Sequence, residues 1–290
     1  MKVAFQGVHG AYSDLASREL FGPKTRTLPQ STFDGVFDAV REGHANRGVI
    51  PVENSLAGSI HHNYDLLIQN GLHITGEHFL RVEHALLGQP KAHFADIRQV
   101  RSHPQALAQC SQFFVDHPKI QAVVWFDTAG AAESLIKETS PEVAALASEY
   151  AGKLYGLKAI RSKVQNRSEN FTRFLSISRK AEKPNPKQPC KTTITFLPRK
   201  NETGVLSRIL EIFAQGKIDL SKIESRPDPD KPFNYRFYLD LGGGTGNREI
   251  LQALNRLKDL VFELRILGSY PRANIPVKKL LPPAVKRKSP

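Results

Sequence analysis

The chain has 290 residues, 40% of them hydrophobic and 24% charged, a composition ordinary for a globular protein with two or three folding units. Its two cysteines, Cys110 and Cys190, have no ligand-spaced Cys or His partner, which argues against a disulfide scaffold and a structural zinc site and favours a reducing compartment. The formal net charge of +13 favours anionic partners, and no apolar run is long enough to span a bilayer.

Strand and helix patterns alternate over roughly the first 180 residues. The alternation predicts an α/β architecture with largely parallel sheets, in which functional groups collect at strand ends and helix N-termini. The N-terminal residues lack a basic segment followed by an apolar one, so we expect a cytoplasmic protein. Strands are predicted over residues 3–5, 48–52, 73–77, 81–87 and 122–126, and helices over 33–40, 104–115, 128–137 and 142–150.

Polar side chains cluster at four points of this region. Three clusters lie at predicted strand ends or helix starts: residues 53–55, 102–105 and 127–128. The fourth, Asn-Phe-Thr-Arg-Phe at 170–174, places an amide, a hydroxyl and a guanidinium beside apolar walls at the start of a strand. Each cluster alone is consistent with an ordinary cap, turn or exposed strand. Together they predict a common cleft that can hold a small anion.

A proline- and lysine-rich stretch over residues 179–191 predicts a linker. Beyond it, strands are predicted over residues 192–197, 218–225, 234–241 and 262–267, with helices over 206–213 and 250–257. The order βαββαβ predicts a ferredoxin-like sandwich. Residues 273–290 are basic and interrupted by prolines, which predicts a disordered tail.

The ordered set of these segments resembles the prephenate dehydratase family. The match covers about residues 1–270, with segments 5–13, 51–55, 102–107, 127–129, 155–157 and 170–174 in family order. The second part resembles a regulatory ACT domain. Valine stands at 205 where alanine is common, and His9 where proline is common. The two segments that resemble phenylalanine-binding motifs are Gly204, Val205 and Leu206, and then Glu224, Ser225, Arg226 and Pro227.

The resemblance implies a two-lobed catalytic domain similar to type II periplasmic binding proteins. Lobe one is expected at residues 1–78 and 162–180 and lobe two at 79–161, followed by a linker at 181–191, an ACT domain at 192–272 and the tail at 273–290. It also implies decarboxylating dehydration of prephenate to phenylpyruvate, with no metal or organic cofactor. Phenylalanine is expected as allosteric effector of a homodimer or homotetramer joined through ACT domains.

By the same resemblance, Thr172 donates a hydrogen bond or proton to the leaving ring hydroxyl. Arg173 either balances substrate charge or forms a structural salt bridge, and Glu53 is either a proton relay or a solvated carboxylate. The remaining predicted site residues orient the substrate (Asn170, Asn54, Gln105) or receive its carboxylates (Ser55, Ser102, Thr128).

Three other functions remain open from the sequence. The motifs do not separate prephenate dehydratase from arogenate dehydratase, whose substrate has an ammonium in place of the keto group. A non-catalytic amino-acid sensor is a second alternative, although simple binding does not require the segment at 170–174. A nucleic-acid-binding regulator is suggested only by the net charge and the tail.

Overall fold

The structure is a computed structural model that describes residues 1–185, 187–200, 202–228 and 231–275. Most of the predicted tail, from residue 276 onward, lies outside the described residues. Three sheets carry the fold, and helices pack on their faces. None of the helices within the described ranges is both long and apolar enough to cross a lipid bilayer.

Fifteen strands are present in the described part of the chain. In order they are β1 (Lys2–Gln6), β2 (Arg26–Gln30), β3 (Arg47–Asn54), β4 (Gly58–Ser59), β5 (His73–Arg81), β6 (Ala85–Gly88), β7 (Gln99–Ser102), β8 (Gln121–Val124), β9 (Val143–Ala147), β10 (Lys158–Arg161), β11 (Phe171–Ser178), β12 (Cys190–Pro198), β13 (Leu220–Asp228), β14 (Lys231–Gly242) and β15 (Val261–Pro271).

Nine α-helices accompany these strands over the same described ranges, together with a 3₁₀ turn at Phe94–Asp96. The helices are α1 (Tyr12–Phe21), α2 (Phe33–Arg41), α3 (His61–Asn70), α4 (Pro104–Gln109), α5 (Ser111–Asp116), α6 (Thr128–Ser134), α7 (Glu149–Leu154), α8 (Val205–Gln215) and α9 (Arg248–Leu257).

The first two sheets face each other across a cleft. One has the order β2-β1-β3-β11-β5 with β4 paired to β3, and the other has the order β10-β6-β9-β7-β8. The chain leaves the first sheet after β5 and returns to it at β11, which runs antiparallel to both β3 and β5. The second sheet combines antiparallel pairs, β10-β6 and β6-β9, with parallel pairs, β9-β7 and β7-β8. Both sheets are mixed, whereas the sequence predicted largely parallel ones.

The third sheet, β13-β14-β12-β15, is antiparallel and has the predicted βαββαβ connectivity. Helices α8 and α9 cover one face, where Phe196, Phe213 and Leu254 belong to a separate hydrophobic core. Its other face packs on the first sheet, because Tyr238, Leu267 and Tyr270 join the core of that lobe. The third sheet is thus docked onto the first.

Two helix predictions differ from the structure. Residues 143–147 form β9, a central strand that is buried along its whole length and pairs with β6 and β7. The sequence Val-Ala-Ala-Leu-Ala favours helix by intrinsic propensity, but pairing on both sides overrides that preference. The helix predicted over residues 104–115 is interrupted at Cys110 and forms α4 and α5.

Candidate active site

A cavity of about 480 Å³ lies in the cleft between the first two sheets. Among the described residues that line it there is no lysine or arginine, so its side-chain donors are hydroxyls, amides and imidazoles. The polar lining residues are Gln6, Tyr12, Ser13, Asn54, Ser59, His84, His103, Gln105, Gln109, Asp127, Thr128 and Thr172.

Thr172 lies on the cleft face of β11. Side chains alternate along a strand, so Thr172 and Phe174 line the cavity while Arg173 points to the opposite face. The Thr172 Oγ1 accepts a hydrogen bond from Asn54 Nδ2 at 3.0 Å. It makes no other hydrogen bond with the described residues, so its O–H is available to donate to a molecule in the cleft.

Asn54, the last residue of β3, holds Thr172 in this orientation. Its Oδ1 accepts from the backbone N–H groups of Leu56 (3.0 Å) and Ala57 (2.9 Å). Its Nδ2 donates to Thr172 Oγ1, to Asn170 Oδ1 at 2.8 Å and, at the longer distance of 3.2 Å, to Phe171 O. The amide is therefore saturated by protein groups, and Asn54 and Asn170 orient Thr172.

Three residues absent from the sequence prediction complete this chain of hydrogen bonds. Asn170 Nδ2 donates to Gln109 Oε1 at 3.1 Å, which also lies 3.0 Å from His84 Nε2. The other ring nitrogen of His84 lies 2.9 Å from the Tyr12 hydroxyl. Burial lowers the pKa of His84, although the hydrogen bond to Gln109 opposes this effect. One signal was available in the sequence: Gln109 follows Gln105 at i+4, which is one turn of the same helix face.

Three predicted substrate-binding residues lie outside the cleft lining. The Ser102 hydroxyl is buried and donates to Leu146 O at 2.6 Å, and the Ser55 hydroxyl accepts from Phe171 N at 3.0 Å. The Glu53 carboxylate lies 3.3 Å from Lys222 Nζ in the third sheet. The hydroxyls of Ser102 and Ser55 thus bind backbone groups, and the Glu53 carboxylate faces the third sheet. Two other predicted residues, Gln105 and Thr128, do line the cavity.

Arg173 points away from the cleft, into a buried ion cluster. Its guanidinium donates to Glu77 Oε2 (2.9 Å), to Asp240 Oδ2 (2.5 Å) and to the Tyr270 hydroxyl (3.1 Å). Lys191 Nζ also donates to Glu77, at 2.9 Å, so two cations meet two carboxylates. Burial opposes the charge of Arg173, but Tyr270, Asp240 and Glu77 outweigh burial and raise its pKa. Of the two roles open for Arg173, the geometry fits the salt bridge.

The two segments that resemble effector motifs lie apart within one chain. Gly204, Val205 and Leu206 begin α8 and line a cavity of about 410 Å³. Gly204 has φ +82°, a conformation that glycine adopts without strain. The second segment lies on the edge strand β13, separated from β12 by β14. There Ser225 is exposed, Arg226 and Pro227 line a different cavity, and Glu224 contacts the catalytic lobe.

Known proteins share this architecture and sequence. The sequence profile of the family described as prephenate dehydratase matches residues 3–182, and that of the ACT domain matches residues 195–259. Arogenate dehydratase/prephenate dehydratase 2, chloroplastic, of Arabidopsis thaliana is 41% identical over 280 residues, which cover 93% of this chain and 73% of that protein.

Two solved structures are similar over nearly the whole chain. GqqA, described as a novel type of quorum quenching acylase, has a TM-score of 0.86 at 38% identity and covers 94% of this chain and 98% of its own. Prephenate dehydratase of Arthrobacter aurescens in complex with L-Phe has a TM-score of 0.85 at 28% identity, covering 94% and 90%. These matches confirm the predicted α/β catalytic domain with a C-terminal ACT domain. The chain therefore belongs to the prephenate dehydratase family and is a dehydratase, a carbon–oxygen lyase.

Proposed function

We propose that this chain catalyses the decarboxylating dehydration of prephenate to phenylpyruvate in phenylalanine biosynthesis. The observation that supports this most directly is the Thr172 hydroxyl, which accepts from Asn54 and has its own hydrogen free to donate into the cleft. Loss of carbon dioxide and hydroxide makes the substrate ring aromatic, so the enzyme must mainly position the substrate and help hydroxide leave.

In the proposed reaction the ring carboxylate leaves as carbon dioxide, and the electron pair of the broken C–C bond moves into the ring. The ring C–O bond at the opposite carbon breaks, and hydroxide leaves and takes up a proton to become water. Thr172 donates a hydrogen bond to the departing oxygen; a threonine hydroxyl is a weak acid, so its contribution is stabilisation of developing charge in a partly dry site. Gln105, Gln109 and Thr128 supply neutral donors for the carboxylates.

Arogenate is a second candidate substrate, and the lack of lysine and arginine in the described cleft lining favours it. Prephenate brings two carboxylates, but the described lining contains Asp127 and no lysine or arginine. Arogenate carries an ammonium that a carboxylate can pair with, which reduces the net charge to be accommodated. The Arabidopsis relative named for both activities adds support to both substrates.

Steady-state kinetics with both substrates on the purified protein tests these proposals. Turnover of prephenate to phenylpyruvate supports the first, and a higher kcat/KM with arogenate supports the second. If neither substrate is converted, the proposed function is wrong.

Substitution of Asp127→Asn separates the two substrates further. Asp127 Oδ1 caps α6 by accepting from Gly130 N, and asparagine retains that oxygen while losing the charge. We expect the ratio of kcat/KM for arogenate to that for prephenate to fall by about tenfold, because a lost charge contact is worth on the order of 1–2 kcal/mol. An unchanged ratio would show that the Asp127 carboxylate does not pair with the ammonium group of arogenate.

We also propose that phenylalanine controls the enzyme by binding between the ACT domains of two chains. Support comes from the separation of Gly204–Leu206 and Glu224–Pro227 within one chain, since a second chain can bring one segment against the other. The L-Phe complex of the Arthrobacter aurescens protein is consistent with this. Isothermal calorimetry with phenylalanine, combined with activity assays, tests it: no heat and no change in turnover would reject the regulation.

A further inference from the structure

We propose that His84 is a positioning residue, which holds Gln109 and through it the Asn170 and Asn54 amides that position the Thr172 hydroxyl, in a chain of hydrogen bonds across both lobes. The inference rests on the proposed function, because it assigns His84 a part in the same reaction without contact to the reacting atoms. The inference is based on which atom must donate and which must accept in each hydrogen bond of the chain.

The chain has an unambiguous starting point in the backbone. The N–H groups of Leu56 and Ala57 can only donate, so the Asn54 atom they contact is the carbonyl oxygen. The other end of the Asn54 amide must then be NH₂, whose two hydrogens face Asn170 Oδ1 at 2.8 Å and Thr172 Oγ1 at 3.0 Å, with the Phe171 carbonyl as a longer third acceptor at 3.2 Å. Thr172 is thereby an acceptor from the protein and a donor to the cleft.

The same logic passes from Asn170 to His84. Since Asn170 Oδ1 accepts from Asn54, its NH₂ group donates to Gln109 Oε1. The Gln109 oxygen can only accept, so His84 Nε2, 3.0 Å away, must carry a hydrogen. A neutral His84 with its hydrogen on Nδ1 would place a lone pair against that oxygen, and Gln109 would rotate and release Asn170.

His84 lies where the polypeptide crosses between the lobes, so its ring can contact residues of both lobes. Its carbonyl accepts from Val164 N at 2.9 Å, which joins the two crossover segments. Tyr12 reaches it from α1 in the first lobe and Gln109 from α4 in the second. The exposed fraction of His84 is 2%, so water does not compete for its ring nitrogens.

The tautomer of His84, and not its charge, decides whether Nε2 can donate to Gln109. The Tyr12 hydroxyl lies 2.9 Å from Nδ1 and 2.6 Å from Glu83 O, and burial keeps it protonated by raising its pKa. It can donate to Nδ1 of the neutral ring, or to Glu83 O when both ring nitrogens carry hydrogen. Among the described residues, the ionisable groups near His84 include Tyr12, Cys110 beside Tyr12, and Glu83, which pairs with Lys163 and Arg81 at 3.7 Å each; His103 and Asp127 line the same cleft. In both protonation states Nε2–H remains directed at Gln109.

Nitrogen-15 NMR of histidine-labelled protein tests this arrangement independently of activity. The His84 resonance is identified by its loss in a His84→Gln variant. We expect the Nε2–H tautomer at pH 7.5. A neutral ring with hydrogen on Nδ1, or averaging between the two tautomers, would overturn the inference even if no substrate is turned over.

Kinetics then test the consequence for catalysis. His84→Leu keeps the packing volume but removes the donor, and we expect kcat to fall roughly tenfold to a hundredfold with little change in KM, because small misplacements of a catalytic group have such effects. His84→Gln can present an amide N–H near the position of Nε2, and should restore most of the loss. His78→Leu is the matched control, since His78 lies on β5 outside the cavity lining and pairs with Glu19 at 2.8 Å.

The outcomes separate this inference from the proposed function. If Thr172→Val is inactive but His84→Leu is as active as His78→Leu, only the role of His84 is wrong. If His84→Gln and His84→Leu lose kcat equally, packing and not the Nε2 donor is responsible, and the inference is overturned. If the wild type converts neither prephenate nor arogenate, the proposed function fails, and the NMR result alone decides the hydrogen-bond chain.

Discussion

Adjacent residues in this protein have opposite surroundings. Thr172 faces the cleft with one hydrogen available, whereas Arg173 is 5% exposed and bound to carboxylates of two domains. The cause is the two-residue period of β11, which sends neighbouring side chains to opposite faces. The most conspicuous charge of the motif therefore supports the strand, and a neutral hydroxyl is left to act on the substrate.

Replacement of Thr172 by valine tests the role of the hydroxyl. Valine keeps the shape of threonine, so the loss reports the hydroxyl alone; we expect kcat to fall by on the order of a hundredfold or more, with a smaller change in KM. Thr172→Ser retains a hydroxyl and should keep a larger share of the activity. Near-normal turnover by a folded Thr172→Val variant would remove this residue from the mechanism.

The buried imidazole of His84 also makes stability depend on pH. Its folded-state pKa is lowered by burial, while the unfolded chain takes up a proton near the usual value of 6.5. The unfolded state therefore binds more protons in the window between the two pKa values, and stability is lost as pH falls from 7.5 into that window. Urea unfolding at several pH values should show a shallower loss for His84→Gln than for the wild type. Parallel profiles would contradict the lowered pKa.

At the scale of elements, the sequence predicts what local periodicity determines. The βαββαβ order and the helix α2 follow from apolar spacing within single segments. Strand β9 was missed because its identity depends on pairing with β6 and β7, which are distant in sequence. The ion-pair partner of Arg173 could not be predicted from the sequence either, because Asp240 is 67 positions away and is brought near only by docking of the third sheet.

The docking of β15 onto β5 leads to a prediction about Gly268. A Cβ added at Gly268 would lie 2.2 Å from Ile74 O and 2.7 Å from Ile74 Cβ, so alanine forces the two strands apart. We expect Gly268→Ala to lower the free energy of unfolding by about 1–3 kcal/mol, as overpacking does elsewhere. Gly246→Ala is the control, because nothing lies within 4 Å of its added Cβ. Urea denaturation of both variants checks this, and equal stabilities would mean that the two sheets separate easily.

At the scale of the whole molecule, the ACT domain touches the catalytic part close to the active site. Glu224 Oε2 accepts from the hydroxyl of Ser59 at 2.7 Å, and Ser59 lines the cleft. Arg226 donates to Asp65 of α3 at 2.7 Å. Asp240 binds Arg173, the neighbour of Thr172. A change in the position of this sheet therefore acts on two sides of the site, which gives the proposed effector a short physical route to catalysis.

Asp240→Asn tests that route from the ACT side. Asparagine preserves shape but removes one of two carboxylates that balance Arg173 and Lys191, and breaking a buried ion pair typically costs about 3–5 kcal/mol. We expect a loss of stability of that order together with a several-fold lower kcat, although Asp240 lies outside the cleft lining. Asp38→Asn is the matched control, because Asp38 pairs with Arg41 at 2.5 Å on the surface, where such pairs contribute at most ~1 kcal/mol. If the two variants are equally stable and equally active, the buried cluster neither holds the ACT domain nor supports Thr172.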